Sequence, residues 1–279
     1  MIDAMSDIGS IDAQRPCNAP IGIFDSGVGG LSVARHLADG MPCERLLYFA
    51  DSAHAPYGSK SLEEVEKRVL QLSGYLVRHQ AKALVVACNT ATAAAINRLR
   101  STYSIPVIGM EPAVKPASAL TRSGVVGILA TAGTLDSGKF TRLQARFGRE
   151  VRIISQPCPG LVEQVEAGDL SGPRTRELVQ GYVDTLLAGG ADTLVLGCTH
   201  YPFLLPLIRE LVDPEIEILD TGLPVSREVF RQLDARKLLA DRKQTGGLEV
   251  LSSGDAVLTH AIVSRLWGAA VPVRVVKTL

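Results

Sequence analysis

The chain has 279 residues, with 29 Lys plus Arg against 29 Asp plus Glu and a formal net charge of zero, which excludes a broad basic footprint for nucleic acid and leaves length enough for two domains. Its five cysteines, Cys17, Cys43, Cys88, Cys158 and Cys198, show no CxxC and no Cys/His spacing of a zinc site, so free thiols in a reducing cytoplasm and no metal are expected. The N-terminus carries Asp3, Asp7 and Asp12 without an apolar segment, and no run is long enough to span a bilayer, which argues against a secretory signal and a membrane partner.

Residues 1–19 are small and polar without periodicity and read as a disordered extension. Ile21-Gly22-Ile23-Phe24 is a short apolar strand, closed by Asp25-Ser26-Gly27-Val28-Gly29-Gly30. A helix follows with Leu31, Ala34 and Leu37 on one face. Arg45–Ala50 is the next strand, and the loop 51–59 leads to Ser61 and Glu64, spaced as a capping box for a helix reaching about Gln80. Leu84-Val85-Val86-Ala87 is a buried strand that gives out at Cys88-Asn89-Thr90. A helix over 92–100 and a strand over 105–109 complete this part.

The pattern then restarts. Val125–Ala130 repeats a glycine inside an apolar strand, Val151–Ile154 takes the second place, and Thr193–Gly197 leads to Cys198-Thr199-His200. Cys88 and Cys198 differ by 110 positions, Gly22 and Gly127 by 105, as two βαβαβ halves of similar length would. The tail adds strands near 215–220 and 248–252 and helices near 226–241 and 256–267. Alternation of this kind predicts an α/β fold of two similar domains, with mostly parallel sheets flanked by helices and ligands at the carboxyl ends of the strands.

The loop after the first strand fits neither G-x-G-x-x-G nor the P-loop, and Asp25 would repel a phosphate. Pairing of Asp25 with a ligand ammonium suits it better, beside the plain alternative of a capped strand-to-helix turn. Cys88 and Cys198 are the main candidates for chemistry. A cysteine on an apolar strand is often an inert core residue. Here both stand where a strand ends and a helix begins, a setting expected to lower a thiol pKa toward neutrality. One thiolate then removes an α-proton while the opposite thiol delivers one to the other face. Asp25 and His200 are the natural relay partners. Ser26, Tyr57, Gly58, Asn89, Thr90 and Thr199 offer donors for a carboxylate, with ordinary turn and cap chemistry as the alternative. Lys82, Lys115 and Lys139 lie near element ends, but none has a phosphate cradle for pyridoxal, so no cofactor is expected.

Four motifs in order, Phe24–Gly30, Asp51-Ser52 with Pro56-Tyr57-Gly58, Ala87–Ala91 and Gly197–Pro202, with Ser253-Gly254-Asp255 in the tail, resemble the bacterial glutamate racemases of the cofactor-independent aspartate/glutamate racemase superfamily. The resemblance covers about residues 21 to 270. It implies interconversion of L- and D-glutamate for peptidoglycan, with Cys88 and Cys198 as the two acid/bases assisted by Asp25 and His200. It implies that Asp25-Ser26, Tyr57-Gly58, Asn89-Thr90 and Thr199-His200 hold substrate. A further family glutamate falls best on Glu166, with Glu163 close by. The implied active site lies in a cleft between interleaved domains, 20–115 plus 224–279 and 116–223. A homodimer in the cytoplasm is expected, and because some such racemases inhibit DNA gyrase, gyrase is a candidate partner. Asp220-Thr221 stands where Asp-Ser is more usual. An aspartate racemase is the nearest rival, but those typically carry a glutamate after the second cysteine where this chain has Thr199-His200. Relatives that decarboxylate or isomerise diacids include single-cysteine enzymes, unlike this chain.

Overall fold

The computed structural model describes residues 15–277. The first part alternates β1 (Ile21–Asp25), α1 (Leu31–Gly40), β2 (Arg45–Ala50), α2 (Leu62–Arg78), β3 (Ala83–Val86), α3 (Asn89–Thr102) and β4 (Val107–Ile108). The middle runs α4 (Val114–Leu120), β5 (Val125–Ala130), α5 (Ala132–Leu135), α6 (Gly138–Phe147), β6 (Arg152–Pro157), α7 (Leu161–Glu166), α8 (Pro173–Ala188), β7 (Thr193–Leu196), α9 (Leu205–Leu211) and β8 (Glu217–Leu219). The tail contributes α10 (Gly222–Ala235), β9 (Gly247–Ser252), α11 (Ala256–Trp267) and β10 (Val273–Val275).

Two sheets of parallel strands result, one ordered β10-β9-β2-β1-β3-β4 and one β6-β5-β7-β8. The order β2-β1-β3-β4 in the first matches β6-β5-β7-β8 in the second, so the repeat read from the sequence is also a repeat of topology. Register makes the match residue by residue. Gly22 stands opposite Leu84, and Gly127 opposite Leu194. A β-carbon on Gly22 would lie 2.9 Å from Ala81 Cβ and 3.2 Å from Leu76 Cβ, and one on Gly127 would lie 3.0 Å from Leu186 Cδ1. Each glycine therefore lets a helix, α2 or α8, pack close on its strand. The matching strand order puts the two cysteine-bearing strand ends, after β3 and after β7, in equivalent places.

Several elements depart from the sequence reading. The helix expected over 92–100 begins at Asn89, with Cys88 as its N-cap, and the strand expected over 105–109 is only Val107–Ile108. The tail helix runs Gly222–Ala235 instead of 226–241, and β10 was not foreseen. Ser61 and Glu64 form the expected capping box. Of the expected N-terminal extension, residues 1–14 lie outside the described residues. Residues 15–19 pack on the fold: Ala19 is buried, and Arg15 donates to Gln80.

Lys82, considered above for a cofactor, is fully buried at the opposite end of the sheet from the cysteines. Its Nζ lies 2.6 Å from Glu44 Oε2 and donates to the carbonyls of Cys17 and Leu238. Glu44 Oε1 in turn accepts from Ala240 N at 2.8 Å. The pair thus ties the N-terminal segment, β3 and the 238–240 loop together. Removing one partner of a buried pair strands the other charge, so Lys82→Met should lower unfolding free energy by about 3–5 kcal/mol. Adding Glu44→Leu to Lys82→Met should recover most of that loss. Urea unfolding followed by circular dichroism checks both, and an unchanged midpoint for Lys82→Met would refute the assignment. Among the described residues no helix is long and apolar enough to cross a membrane.

Candidate active site

The C-terminal ends of β1, β3 and β7 meet around a tight cleft whose cavity is only about 20 Å³. Ser26, Tyr57, Gly58, Cys88, Asn89 and Thr90 line it from the first sheet, and Thr131, Thr134, Val162, Cys198, Thr199 and His200 from the second. All the predicted site residues except Asp25 and Glu166 thus face one space, and those two stand immediately behind it.

Asp25, fully buried at the end of β1, has Oδ1 2.7 Å from Ser26 N and Oδ2 2.7 Å from Gly30 N, both donors. Thr199 Oγ1 reaches the same Oδ2 at 3.3 Å. Burial pushes the Asp25 carboxyl up, and the charge of His200 pulls against it. The loop therefore uses Asp25 to close its own backbone, with one edge turned toward the second sheet. Ser32 Oγ also donates to the carbonyl of Thr199 at 2.9 Å, so the start of α1 is tied directly to the segment after Cys198.

The glycines of this loop have a steric purpose beyond the turn. A β-carbon on Gly27 would fall 1.8 Å from Glu166 Oε1, and one on Gly29 would fall 2.3 Å from His200 Nδ1. The bare backbone lets Glu166 and His200 seat against it. Glu166 Oε1 accepts from Val28 N at 2.7 Å and lies 2.7 Å from His200 Nε2, while His200 Nδ1 lies 3.7 Å from Cys198 Sγ. Glu166, His200 and Cys198 thus stand in one hydrogen-bonded line. Glu163 is exposed on α7, so the geometry joins Glu166, not Glu163, to the histidine. Burial opposes charge on His200, but its bonds to Cys198 and Glu166 win, and its pKa stands well above 6.5.

The two thiols are less alike than the sequence suggests. Cys88 caps α3, with Sγ accepting from Ala91 N at 3.4 Å. The expected lowering of its pKa by the helix N-terminus is not what prevails. Burial, and then the nearby Asp25 carboxylate, hold the thiol well above its ordinary value of 9.0. Cys198 has no α-helix beginning at the next residue. A turn and a 3₁₀ segment, Tyr201–Leu204, follow it, and the imidazole of His200 takes the place of a helix terminus.

Asn89 carries an amide whose Oδ1 and Nδ2 are both buried without a hydrogen-bond partner among the described residues. Buried polar groups are nearly always paired, so an amide on a cleft wall in this condition is set to meet a ligand. Beside it Thr90, Thr131 and Thr134 bring their hydroxyls within 3.0 to 3.3 Å of one another. Thr131, Thr134 and Val162 escaped the sequence reading. Thr131 caps the short helix α5 that holds Thr134, and Val162 lies in α7; neither helix has a motif of its own, and only the parallel between β1 and β5 pointed toward the segment after Ala130. Lys139 is paired with Glu111 at 3.6 Å. No three His, Cys, Asp or Glu side chains gather as a metal site among the described residues.

A model of the Asp/Glu/Hydantoin racemase family matches residues 31–229. A glutamate racemase of Ectopseudomonas mendocina is 55% identical over 258 residues, 92% of this chain and 98% of that protein. A glutamate racemase isoform of Bacillus anthracis superposes with a TM-score of 0.85 at 32% identity, covering 92% of this chain and 97% of that one. The Escherichia coli glutamate racemase, solved with L-glutamate and the activator UDP-MurNAc-ala, gives a TM-score of 0.80 at 30% identity, covering 91% and 97%.

Proposed function

We infer the chemistry of the cleft from one premise: the chain belongs to the Asp/Glu/Hydantoin racemase family and is a glutamate racemase, interconverting L- and D-glutamate. Cys88 and Cys198 act as the two acid/bases, one removing the α-proton and the other supplying a proton to the opposite face. The observation that carries this reading is a single cleft lined by both thiols, each at the same place in a repeated strand order. A single base would tend to return the proton to the face it left. Two bases on opposite walls allow inversion, and a near-symmetric cleft suits a substrate and product that are mirror images.

Asp25 and His200 serve as the relay partners of Cys88 and Cys198, with Glu166 setting the charge of His200. The substrate ammonium beside Asp25 and Cys88 opposes the effect of burial there and favours thiolate. Ser26, Tyr57, Gly58, Asn89, Thr90 and Thr199 hold the substrate, with Asn89 and Thr90 offering donors to a carboxylate. The α-proton is made removable by fixed dipoles in a narrow, largely dry cleft, without a cofactor. Glutamate is favoured over aspartate by the Thr199-His200 pair and by relatives named for that activity.

The chain is read as two interleaved domains, 20–115 with 224–279 and 116–223, a division supported by the return of β9 and β10 to the first sheet. The protein works in the cytoplasm, where its D-glutamate enters peptidoglycan. It assembles as a homodimer, a reading that the exposed apolar Val257 and Leu258 at the start of α11 support. Purified protein given D-glutamate and no added cofactor should lose its substrate's circular dichroism signal to zero. A requirement for pyridoxal phosphate would overturn the cofactor-free reading.

A further inference from the structure

We propose that Arg68 and Ser253 are positioning residues for racemisation, acting through buried Asp51 to hold the Tyr57–Gly58 lip against the second sheet. The inference rests on the reading of the cleft as the glutamate site.

Asp51 follows β2 directly and is fully buried. A buried carboxylate is costly unless its oxygens are met by donors. Here Arg68 grips both: Nε donates to Oδ2 at 2.8 Å and Nη2 to Oδ1 at 2.6 Å. Tyr57 OH donates to Oδ2 at 2.6 Å, and Ser253 Oγ to Oδ1 at 2.7 Å. His54 Nδ1 lies 3.1 Å from Oδ1. Despite burial, these bonds hold the Asp51 carboxyl below its ordinary value, so it stays charged. Three segments distant in sequence, α2, the 51–59 loop and the end of β9, therefore converge on one anion, and the hydroxyl of Tyr57 is one of its ligands.

Tyr57 and Gly58 line the cleft, whereas Arg68 and Ser253 do not. The lip in turn abuts the second sheet without slack. A β-carbon on Gly58 would lie 2.8 Å from Thr131 Cβ, and one on Gly133 would lie 2.9 Å from the Gly58 carbonyl oxygen. Thr131 is the residue whose hydroxyl meets those of Thr90 and Thr134 on the cleft wall. The direction in which Tyr57 points thus sets how the lip closes over that wall, and Asp51 sets the direction of Tyr57. Arg68 matters for its fork, because a lysine ammonium cannot span both carboxylate oxygens.

The test compares Arg68→Ala, Arg68→Lys and Ser253→Ala with the unaltered enzyme. Arg68→Ala should raise KM for glutamate about tenfold or more, with a smaller change in kcat, as expected when binding geometry and not the acid/base groups is lost. Added methylguanidinium should lower that KM again. Arg68→Lys should fall between, and Ser253→Ala should raise KM less than Arg68→Ala. At saturating glutamate all three should exchange the α-proton in D2O, since both cysteines are intact. Unchanged KM in a folded Arg68→Ala variant would overturn the proposal. If that variant does not fold, unchanged KM in Ser253→Ala would overturn it. Failure of the two-cysteine reading shows separately, as full racemisation by Cys88→Ser or Cys198→Ser.

Discussion

In the Cys88→Ser and Cys198→Ser variants, racemisation of glutamate is expected to fall by roughly two to four orders of magnitude, the usual range for a lost acid/base group. The fold should hold, because serine is close to cysteine in size and each position already faces a cleft. The reasoning turns on which face of the substrate each thiol serves. With one thiol gone, the other still removes the α-proton from its own face and returns a proton to that face. In D2O this gives slow replacement of the α-proton by deuterium without inversion. Circular dichroism reads inversion and proton NMR reads exchange, so the two can be separated in one sample. The two variants should not be identical. Cys198 has the His200 imidazole 3.7 Å from its sulfur, while the Cys88 thiol is held up by burial and by Asp25. Wild-type racemisation by either variant would end the two-base account.

Glu166→Gln is the second change expected to have a large effect, and its sign follows from the histidine. Glutamine can still accept from Val28 N, so the substitution removes charge while leaving that contact possible. In the intact protein His200 holds its proton to well above pH 6.5, because its bonds to Cys198 and Glu166 outweigh burial. Without the carboxylate, burial gains, and the imidazolium gives up its proton at lower pH. If that imidazolium supports the Cys198 thiolate, the falling alkaline limb of kcat/KM should move to lower pH in the variant. Stability follows the same linkage. A histidine with a raised folded pKa contributes stability that is complete below its unfolded value near 6.5 and is lost as pH rises through the folded value. The variant should lack much of that contribution at low pH and differ least from the intact protein once both histidines are neutral. An alkaline limb at the same pH in both proteins would show that Glu166 does not set the charge of His200.

Most of the cleft was legible in the chain because its residues sit in motifs with local causes. A strand that gives out at a cysteine, a glycine loop closed by an aspartate and a helix opened by Ser61 and Glu64 are all set by neighbours within a few positions. The glycines at 22 and 127 also signalled the repeat, since each marks a strand on which a helix packs closely. What a residue meets across the molecule was a different matter. Thr131 and Thr134 carry no motif, and they became part of the cleft only when β5 was laid beside β7. The Asp51 cluster joins residues as far apart as 51 and 253, a separation that no periodicity encodes. The choice of Glu166 over Glu163 also needed coordinates, because the two differ by less than one helical turn and only one points to His200.

The charge states were the least readable. The helix N-terminus at Cys88 was visible in outline and argued for a lowered thiol pKa, but burial, a property of the whole packed domain, reversed the sign. By itself, then, the sequence determined the alternation of strands and helices, the two cysteine positions and the family. The tertiary structure decided which side chains face one another and which remain charged. Secondary structure and turn chemistry depend on adjacent residues, whereas desolvation and cross-sheet hydrogen bonds depend on segments brought together only by folding.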